Sequence, residues 1–249
     1  MQTPKVSVTS PSIRPEALKI VAESLSRQDF TDFEWLVGSP ANLEEEIEKA
    51  IGGIVPFVFV PEPPKREGSF YNLNACWNEL FRHAKGELVV NIVDGLWFQP
   101  DTLSTLWYHF EENPKRCITL TGDQYDESLS VLLWKDPRGT LNTNGSFYET
   151  YSTEMELCIA SLPKQAIIDC KGLQEVYDQG CAMSEKTMCL RMEKLGYKMF
   201  IDKSIPYRAI RHGRIGGDEE WNKHYKIACD LWDKHSRSIM RGEDLLGDL

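Results

Sequence analysis

The first half of the chain alternates short apolar runs with helical patterns, and this alternation limits the fold more than any other feature. Four runs rich in β-branched and aromatic residues predict strands at Lys5–Ser10, Phe33–Val37, Val55–Val60 and Glu87–Val93. Helical patterns at 16–27, 44–51 and 73–84 separate them. Strands that alternate with helices form parallel sheets through right-handed crossovers. The sequence therefore predicts an α/β fold with a mainly parallel sheet flanked by helices.

The pattern is less regular in the second half of the chain. Helices are predicted at 100–112, 164–170, 184–195 and 219–240, and short strands at 118–121, 131–134 and 157–162. Gly196 follows the third of these helices, as a left-handed helix cap does. The stretch 135–153 is rich in Gly, Asn, Thr and Ser, which predicts a mobile loop.

Composition and charge exclude several classes of protein. The 249 residues are 41% hydrophobic, which suffices for one sizeable core, and the net charge of −10 disfavours a surface that grips nucleic acid as a whole. The longest apolar runs are far shorter than the roughly 20 residues that cross a bilayer, and no secretory signal is visible. Seven scattered cysteines without a CxxC pair favour reduced thiols. We expect a cytosolic protein without a transmembrane segment.

Blocks of sequence in a fixed order resemble the family 2 glycosyltransferases. The block 5–27 is similar to their first strand, Pro-containing donor loop and first helix, and Asp32–Val37 is similar to the phrase x-Phe-Glu-x-x-Val. Asn78–Asp94 resembles their Asn, helix, Ala-x-Gly-Glu, strand and Asp. Leu162–Arg191 resembles the acceptor-side segment and the helix that bears an acidic residue and a later Arg. The series is completed by Leu195, Gly196, Tyr197 and His212.

The resemblance implies the GT-A fold, a Rossmann-like fold of nucleotide-diphospho-sugar transferases. Residues 1–98 would form the donor-nucleotide half and residues 99–218 the acceptor half of one domain, followed by a C-terminal helical appendage at 219–249. The implied activity is transfer of a hexose or pentose from a nucleotide-sugar donor, first of all a UDP-sugar, to a hydroxyl acceptor with inversion. The opening and the phrase Gly196-Tyr197 also resemble small glycosyltransferase-like proteins of phage genomes, which would place the protein in the cytoplasm of a host.

Donor-binding side chains are expected at the carboxyl ends of the strands, where α/β sheets bind their ligands. The resemblance points to Thr9, Ser10, Pro11 and Arg14, although an ordinary strand-to-helix turn accounts for the same residues. Asp94 ends an apolar strand, where a carboxylate is retained to hold ribose or metal, or begins a turn.

Two further donor contacts are expected around the third crossover. Arg66 and Asn78 flank it and would reach the base or the phosphates. Many relatives carry aspartates after the second strand that contact the base, but this chain has Gly38, Ser39 and Pro40 there. The identity of the nucleotide therefore stays open.

A divalent cation, Mn²⁺ or Mg²⁺, is implied by the family, whose relatives carry an Asp-x-Asp motif. The second carboxylate of that motif is missing here, because Leu96 stands in its place. Asp94 and His212 are the expected ligands, since carboxylate and imidazole both suit Mn²⁺, although a lone His is also common as a core or surface residue. A metal-independent enzyme, in which Arg211 or Arg214 offsets the phosphate charge, stays open.

The general base is expected on the predicted helix at 184–195. Glu185 matches the family position, and a carboxylate in the first turn of a helix also stabilises the helix dipole. Asp178 is the second candidate, and Asp169 and Asp202 are weaker ones.

Two other functions fit the same patterns. A catalytically inactive GT-A-like binding protein would explain the incomplete Asp-x-Asp motif. A nucleotidyltransferase can share such a sheet, but the GxG-rich phosphate loop it needs near the N-terminus is absent. The acceptor stays undefined, with a glycan or a hydroxylated base in nucleic acid as the candidates.

Overall fold

The computed structural model describes residues 3–140, 145–212, 216–243 and 247–249. Its strands are β1 (Val6–Pro11), β2 (Phe33–Ser39), β3 (Val58–Pro61), β4 (Leu88–Ile92), β5 (Leu96–Trp97), β6 (Arg116–Tyr125), β7 (Leu132–Trp134), β8 (Phe147–Glu149), β9 (Ile159–Pro163) and β10 (Lys198–Ile210). Its α-helices are α1 (Pro15–Leu25), α2 (Glu44–Ile51), α3 (Leu73–His83), α4 (Thr102–Glu112), α5 (Pro137–Thr140), α6 (Lys164–Cys170), α7 (Ser184–Lys194) and α8 (Gly217–Met240). Short 3₁₀ helices lie at Ala41–Leu43, Ser152–Glu154 and Glu175–Gln179.

All described strands belong to one sheet, in the order β3-β2-β1-β4-β9-β6-β10-β5, with β7 beside β6 and β8 beside β10. The first half forms its parallel part, because β1 pairs in parallel with both β2 and β4, and β2 with β3. Helices α1, α2 and α3 return the chain between these strands. The predicted α/β fold with a mixed sheet flanked by helices is confirmed; the sheet is parallel in the first half, and most strand pairings of the second half are antiparallel.

A strand from the second half joins the two halves of the sheet. β9 pairs antiparallel with β4, with Leu88 opposite Pro163 and Ile92 opposite Ile159. Its other edge pairs antiparallel with β6. β6 in turn pairs in parallel with β10, so the strands of the second half of the chain continue the sheet without a gap.

The structure differs from the sequence prediction at β10, the longest strand, which the periodicity did not reveal. The pairing of β10 with β6 shifts register between Asp202 and Tyr207, and Pro206 lies within this irregular part. A bulge of this kind breaks the alternation of a strand, which hides it from a search for a period of two. The predicted loop 135–153 contains α5 and β8, and residues 141–144 of that loop lie outside the described residues.

Two apolar clusters cover the two faces of the sheet. Alternate residues of β4 belong to different clusters. Leu88 and Val90 lie in the first cluster and Val89 lies in the second. The first cluster contains residues of α1 and α4, and the second contains residues of α3, α6 and α7. Since successive side chains of a strand point to opposite faces, both faces of the sheet are buried against helices.

The remaining features concern α8 and the cysteines. α8 packs on α7 and on the 3₁₀ helix Glu175–Gln179. All seven cysteines are free thiols, and five of them are buried. Within the described ranges, no helix combines the length and the apolar composition needed to cross a lipid bilayer.

Candidate functional site

A cleft of about 1020 Å³ opens at the carboxyl ends of the parallel strands. Its floor comes from the ends of β1, β2 and β4, at Pro11, Gly38 and Asp94. Its walls come from the segment before α3, the turn before α7, the end of β10 and the first turns of α8. Ligands of open α/β sheets bind at this edge, so the fold places the cleft where a ligand is expected.

The carboxylate of Asp94 is held by two side chains of the loop between β1 and α1. Arg14 donates from Nη2 to Oδ1 over 2.6 Å and from Nε to Oδ2 over 3.2 Å, and the Ser12 hydroxyl donates to Oδ2 over 2.5 Å. Asp94 is 5% exposed, whereas Arg14 is 36% exposed and lines the cleft. This fork of charge-assisted hydrogen bonds fixes a guanidinium at the strand ends, where it can meet an anion.

His212 lies directly beside the residue that follows Asp94. Gly95 has φ +71, and a Cβ built on it would be 2.5 Å from Nε2 of His212, so this close approach requires glycine. Burial lowers the pKa of His212, and the positive charge of Arg14 lowers it further. Nε2 of this neutral imidazole is buried and has no hydrogen-bond partner within the described ranges.

These residues fit a divalent cation that is shared with a ligand. Asp94 has about four lone-pair positions and uses three of them on Arg14 and Ser12, so one position of Oδ1 is open. His212 offers its unpartnered Nε2. No group of three or more His, Cys, Asp or Glu suited to a metal occurs among the described residues, so ligand oxygens would have to complete the coordination.

The second functional group of the site is the carboxyl group of Glu185, in the first turn of α7. Ala182 and Met183, just before the helix, both adopt left-handed backbone conformations, at φ +71 and φ +69. Burial raises the pKa of Glu185 to about 7, and the negative charge of Glu156 raises it as well. A carboxyl group with this pKa can exchange a proton at neutral pH.

Glu185 lines a smaller cavity of about 210 Å³, which we call the inner chamber. Its walls include Asn74 and Trp77 of α3, Glu156, Tyr177 of the 3₁₀ helix Glu175–Gln179 and Glu185 itself. Tyr71, Leu73, Val93, Cys158, Cys181 and Ala182 line both the inner chamber and the cleft. The inner chamber therefore adjoins the cleft, with these six residues between the two cavities.

Asp178, the second candidate for the base, is engaged at the start of α3. Its Oδ1 accepts hydrogen bonds from the backbone N–H and the side-chain amide of Asn74, and its Oδ2 accepts one from the backbone N–H of Ala75. Burial raises the pKa of this carboxyl, against the effect of these donors. The arrangement satisfies free N–H groups of the helix, which is a structural task.

The weaker candidates for the base lie away from the cleft. Asp169 accepts a hydrogen bond from the Tyr197 hydroxyl, and Asp202 pairs with His109. Neither carboxylate lines the cleft or the inner chamber.

Four of the residues predicted to contact the donor are bonded within the protein instead of lining the cleft. Thr9 donates to Asn91, and Ser10 accepts from the indole N–H of Trp35. Asn78 is fully buried and bonds to Leu173 and Glu175, and Arg66 forms an ion pair with Glu175. Their positions after strands or beside a crossover are the same as expected, but none of the four lines the cleft. Pro11, Arg14, Asp94 and His212 line it, and Arg214 lies outside the described residues.

Sequence reasoning missed several residues that line the cleft. Glu62 follows β3 at the same edge as Asp94, and burial raises its pKa. Its position after a strand was a usable signal. Phe70 and Tyr71 come from an irregular segment, and Trp221 comes from α8. No local pattern connects these three with the sheet edge.

We expect the Asp94→Asn variant to lose both stability and affinity for nucleoside diphosphates. An amide cannot form the charged fork with Arg14, so the free energy of unfolding should fall by about 1 kcal/mol, and the freed guanidinium should become less ordered. Chemical denaturation and titration calorimetry with UDP and GDP measure the two effects. Asp101→Asn, an exposed carboxylate at the start of α4, is the control. Lower stability with unchanged diphosphate affinity would reduce Asp94 to a structural role.

Comparisons with known proteins agree on the fold. TarS of S. aureus matches with a TM-score of 0.63 at 14% identity, over 83% of this chain and 37% of TarS. Its residues 1–349 in complex with UDP-GlcNAc match with a TM-score of 0.60 at 14% identity, over 90% of this chain and 65% of that one. The mannosyltransferase PcManGT from Pyrobaculum calidifontis, in complex with GDP-Man and Mn²⁺, matches with a TM-score of 0.61 at 15% identity, over 86% and 59%.

The same comparisons limit what is established. No protein-family profile matches the chain, and no curated protein does. The chain spans between 37% and 65% of the length of the structures described above. At these identities the likeness establishes the architecture, and the chain has the GT-A fold of nucleotide-sugar-dependent glycosyltransferases.

Proposed function

We propose that this chain transfers a sugar from a nucleotide-sugar donor to a hydroxyl acceptor, with inversion at the anomeric carbon. The observation that carries the proposal is a pair of adjoining cavities with different chemistry. An anchored guanidinium, Arg14, lies at the strand ends, and a carboxyl group with a pKa of about 7, Glu185, lies in the adjoining inner chamber. Glycosyl transfer needs this combination of an anion-binding group and a proton acceptor.

The donor diphosphate is proposed to bind at Arg14 and His212. The net charge of the chain is −10, so a local cation is needed to bind an anion in this cleft. Arg14 supplies it, and Lys65 lines the same cleft. UDP is the proposed nucleotide. Support comes from TarS, which has been crystallised with UDP and with UDP-GlcNAc, while PcManGT carries GDP-Man.

In the proposed chemical step, Glu185 takes the proton of the acceptor hydroxyl. Its ionised carboxylate accepts the proton of the acceptor hydroxyl while the acceptor oxygen bonds to the anomeric carbon. The bond between that carbon and the diphosphate oxygen breaks on the opposite face, and the nucleoside diphosphate leaves with the electron pair. Arg14 offsets the charge that develops on the leaving group.

Asp94 and His212 are the proposed protein ligands of a divalent cation. Such a cation, when bound, stabilises the negative charge of the departing diphosphate. The neutral state of His212 suits metal binding, because only an unprotonated nitrogen can coordinate. Arg14 holds the Asp94 carboxylate in a fixed orientation for this task.

We expect Glu185→Gln to bind the donor normally but to turn over 10² to 10⁴ times more slowly, the usual contribution of a general base. Transfer is measured by mass spectrometry, with pooled nucleotide sugars and with glycans and hydroxylated nucleic acid as acceptors. The wild-type rate should rise with pH through about 7, because the base must be ionised. Near-normal turnover of the variant would remove Glu185 from the mechanism.

Stability gives an independent measure of the same residue. The pKa of Glu185 is raised above its unfolded value of 4.5 to about 7, so the folded state loses stability as pH rises through this range. Glu185→Gln has no charge to bury and should melt at or above the wild-type temperature at pH 8. The variant Glu156→Gln is the matched control, since removing this neighbouring charge should move the midpoint of the rate profile to lower pH and leave the plateau intact. An unmoved midpoint would contradict the assignment.

We expect His212→Ala to raise the Mn²⁺ concentration needed for half-maximal activity by about tenfold or more, as loss of a metal-binding group does. The experiment titrates Mn²⁺ into metal-free enzyme and follows sugar transfer. His83→Ala, an exposed histidine of α3, is the control. Full activity in excess EDTA would mean that no metal is used and that cationic side chains of the cleft, Arg14 and Arg211, offset the phosphate charge.

A further inference from the structure

Two residues that line the inner chamber each carry a buried polar atom that has no partner among the described residues. Nε1 of Trp77 and Oδ1 of Asn74 find no hydrogen-bond partner within the described part of the chain. The two residues are only 5% and 4% exposed. Leaving a buried polar group unpaired costs about 1 to 3 kcal/mol, so native proteins rarely keep two such groups together unless a ligand or water completes them.

The orientation of both groups is set by the fold. Asn74 and Trp77 are three residues apart, so they lie on one face of α3, and both line the inner chamber. Asp178 fixes the amide of Asn74, because its carboxylate accepts from the amide nitrogen and leaves the amide oxygen free. The residues that line the inner chamber thus include one unpaired donor and one unpaired acceptor on a single helix face.

The polar and aromatic side chains that line the inner chamber favour one chemical class of ligand. A hydroxyl group accepts from the indole N–H and donates to the amide oxygen at once, and an acetamido group does the same with its carbonyl and N–H. The carboxylates of Glu156 and Glu185 disfavour a phosphate in this space. Tyr71, Tyr177 and Trp77 supply aromatic surface beside the polar groups, a combination that suits a polyhydroxylated ring.

The size and position of the inner chamber favour the sugar of the donor. Its volume of about 210 Å³ corresponds to roughly seven water molecules at ~30 Å³ each, which suits one ring and not a whole nucleotide. Val93, which lines both cavities, directly precedes Asp94. A ring attached to a diphosphate at Arg14 and His212 would therefore reach the inner chamber past Val93, and Glu185 lines that chamber.

We propose that the inner chamber binds the sugar ring of the donor, and that Trp77 and Asn74 select a sugar with a substituent that both accepts and donates a hydrogen bond. This inference rests on the proposed function, since it presumes a nucleotide-sugar donor. It assigns sugar specificity to the first turns of α3.

The first test follows the indole N–H signal of Trp77 by ¹H–¹⁵N NMR. The chain has seven tryptophans, and the signal that is lost in Trp77→Phe identifies the one in question. UDP and GDP should leave this signal in place, whereas UDP-glucose, UDP-GlcNAc or GDP-mannose should shift it. A signal that moves equally with the free diphosphate would place the nucleotide in the inner chamber and overturn the proposal. A signal that stays fixed while a nucleotide sugar binds would overturn it too.

The second test compares the affinity of the protein for a nucleotide sugar with its affinity for the free diphosphate. In wild-type protein the nucleotide sugar should bind more tightly than its diphosphate, and Trp77→Phe should reduce that advantage about fivefold to tenfold, the worth of one hydrogen bond. The affinity for the diphosphate alone should stay the same. Trp107→Phe, a buried tryptophan of α4 in the other apolar cluster, is the control for the loss of indole packing.

The outcomes distinguish a failure of the sugar assignment from a failure of the proposed function. Binding of diphosphates together with an unchanged sugar advantage in Trp77→Phe sinks the sugar assignment and leaves the proposed function intact. If no diphosphate or nucleotide sugar binds the wild-type protein, both fail. If Trp77→Phe does not fold, the NMR titration of wild-type protein decides, with the Trp77 signal assigned through its backbone. A preference between UDP-glucose and UDP-GlcNAc then tells a hydroxyl from an acetamido group.

Discussion

The antiparallel pairing of β9 with β4 is the constraint on which the site depends. Its register places Ile159 opposite Ile92, and the backbone N–H of Val93 donates to Cys158. The chain positions that follow β4 and precede β9 therefore meet at one point of the sheet edge. Asp94 lies just after the end of β4 at this point, and Glu156 lies shortly before the start of β9. Because the hydrogen-bond ladder fixes this register, Asp94 and the surroundings of Glu185 cannot move independently.

A second set of contacts holds the segments that close the site. Asp178 joins the 3₁₀ helix Glu175–Gln179 to the start of α3, and Asn78 joins the middle of α3 to Leu173. The backbone N–H of Gly247 donates to Cys170, and the Asp248 carboxylate accepts from the N–H of Glu175. Asp178 and Asn78 are thus bonded within the protein, whereas Nε1 of Trp77 and Oδ1 of Asn74 have no partner among the described residues.

The sequence predicted the arrangement of the first half of the chain well, because each strand and helix there carries its own periodicity. Asp94 could be singled out since it interrupts an apolar strand end, and the expected edge of the sheet is where the cleft lies. The partner of Asp94 could not be found, because Arg14 is 80 positions away and only the fold brings the two together. The same limit applied to Thr9 and Asn78, whose side chains bond inside the protein. β10 stayed hidden because its bulge and proline break the alternation of a strand.

The thiols of the cleft have a consequence for its chemical durability. Cys76 and Cys158 line the cleft, and burial raises the pKa of both, that of Cys158 to about 12. The thiolate is the form that alkylating agents and peroxides attack, and it is nearly absent at neutral pH in such surroundings. These two cysteines therefore act as small apolar groups that shape the floor, and the cleft gains no oxidation-sensitive control from them. A ligand that contacts these two residues therefore meets un-ionised thiols of low reactivity.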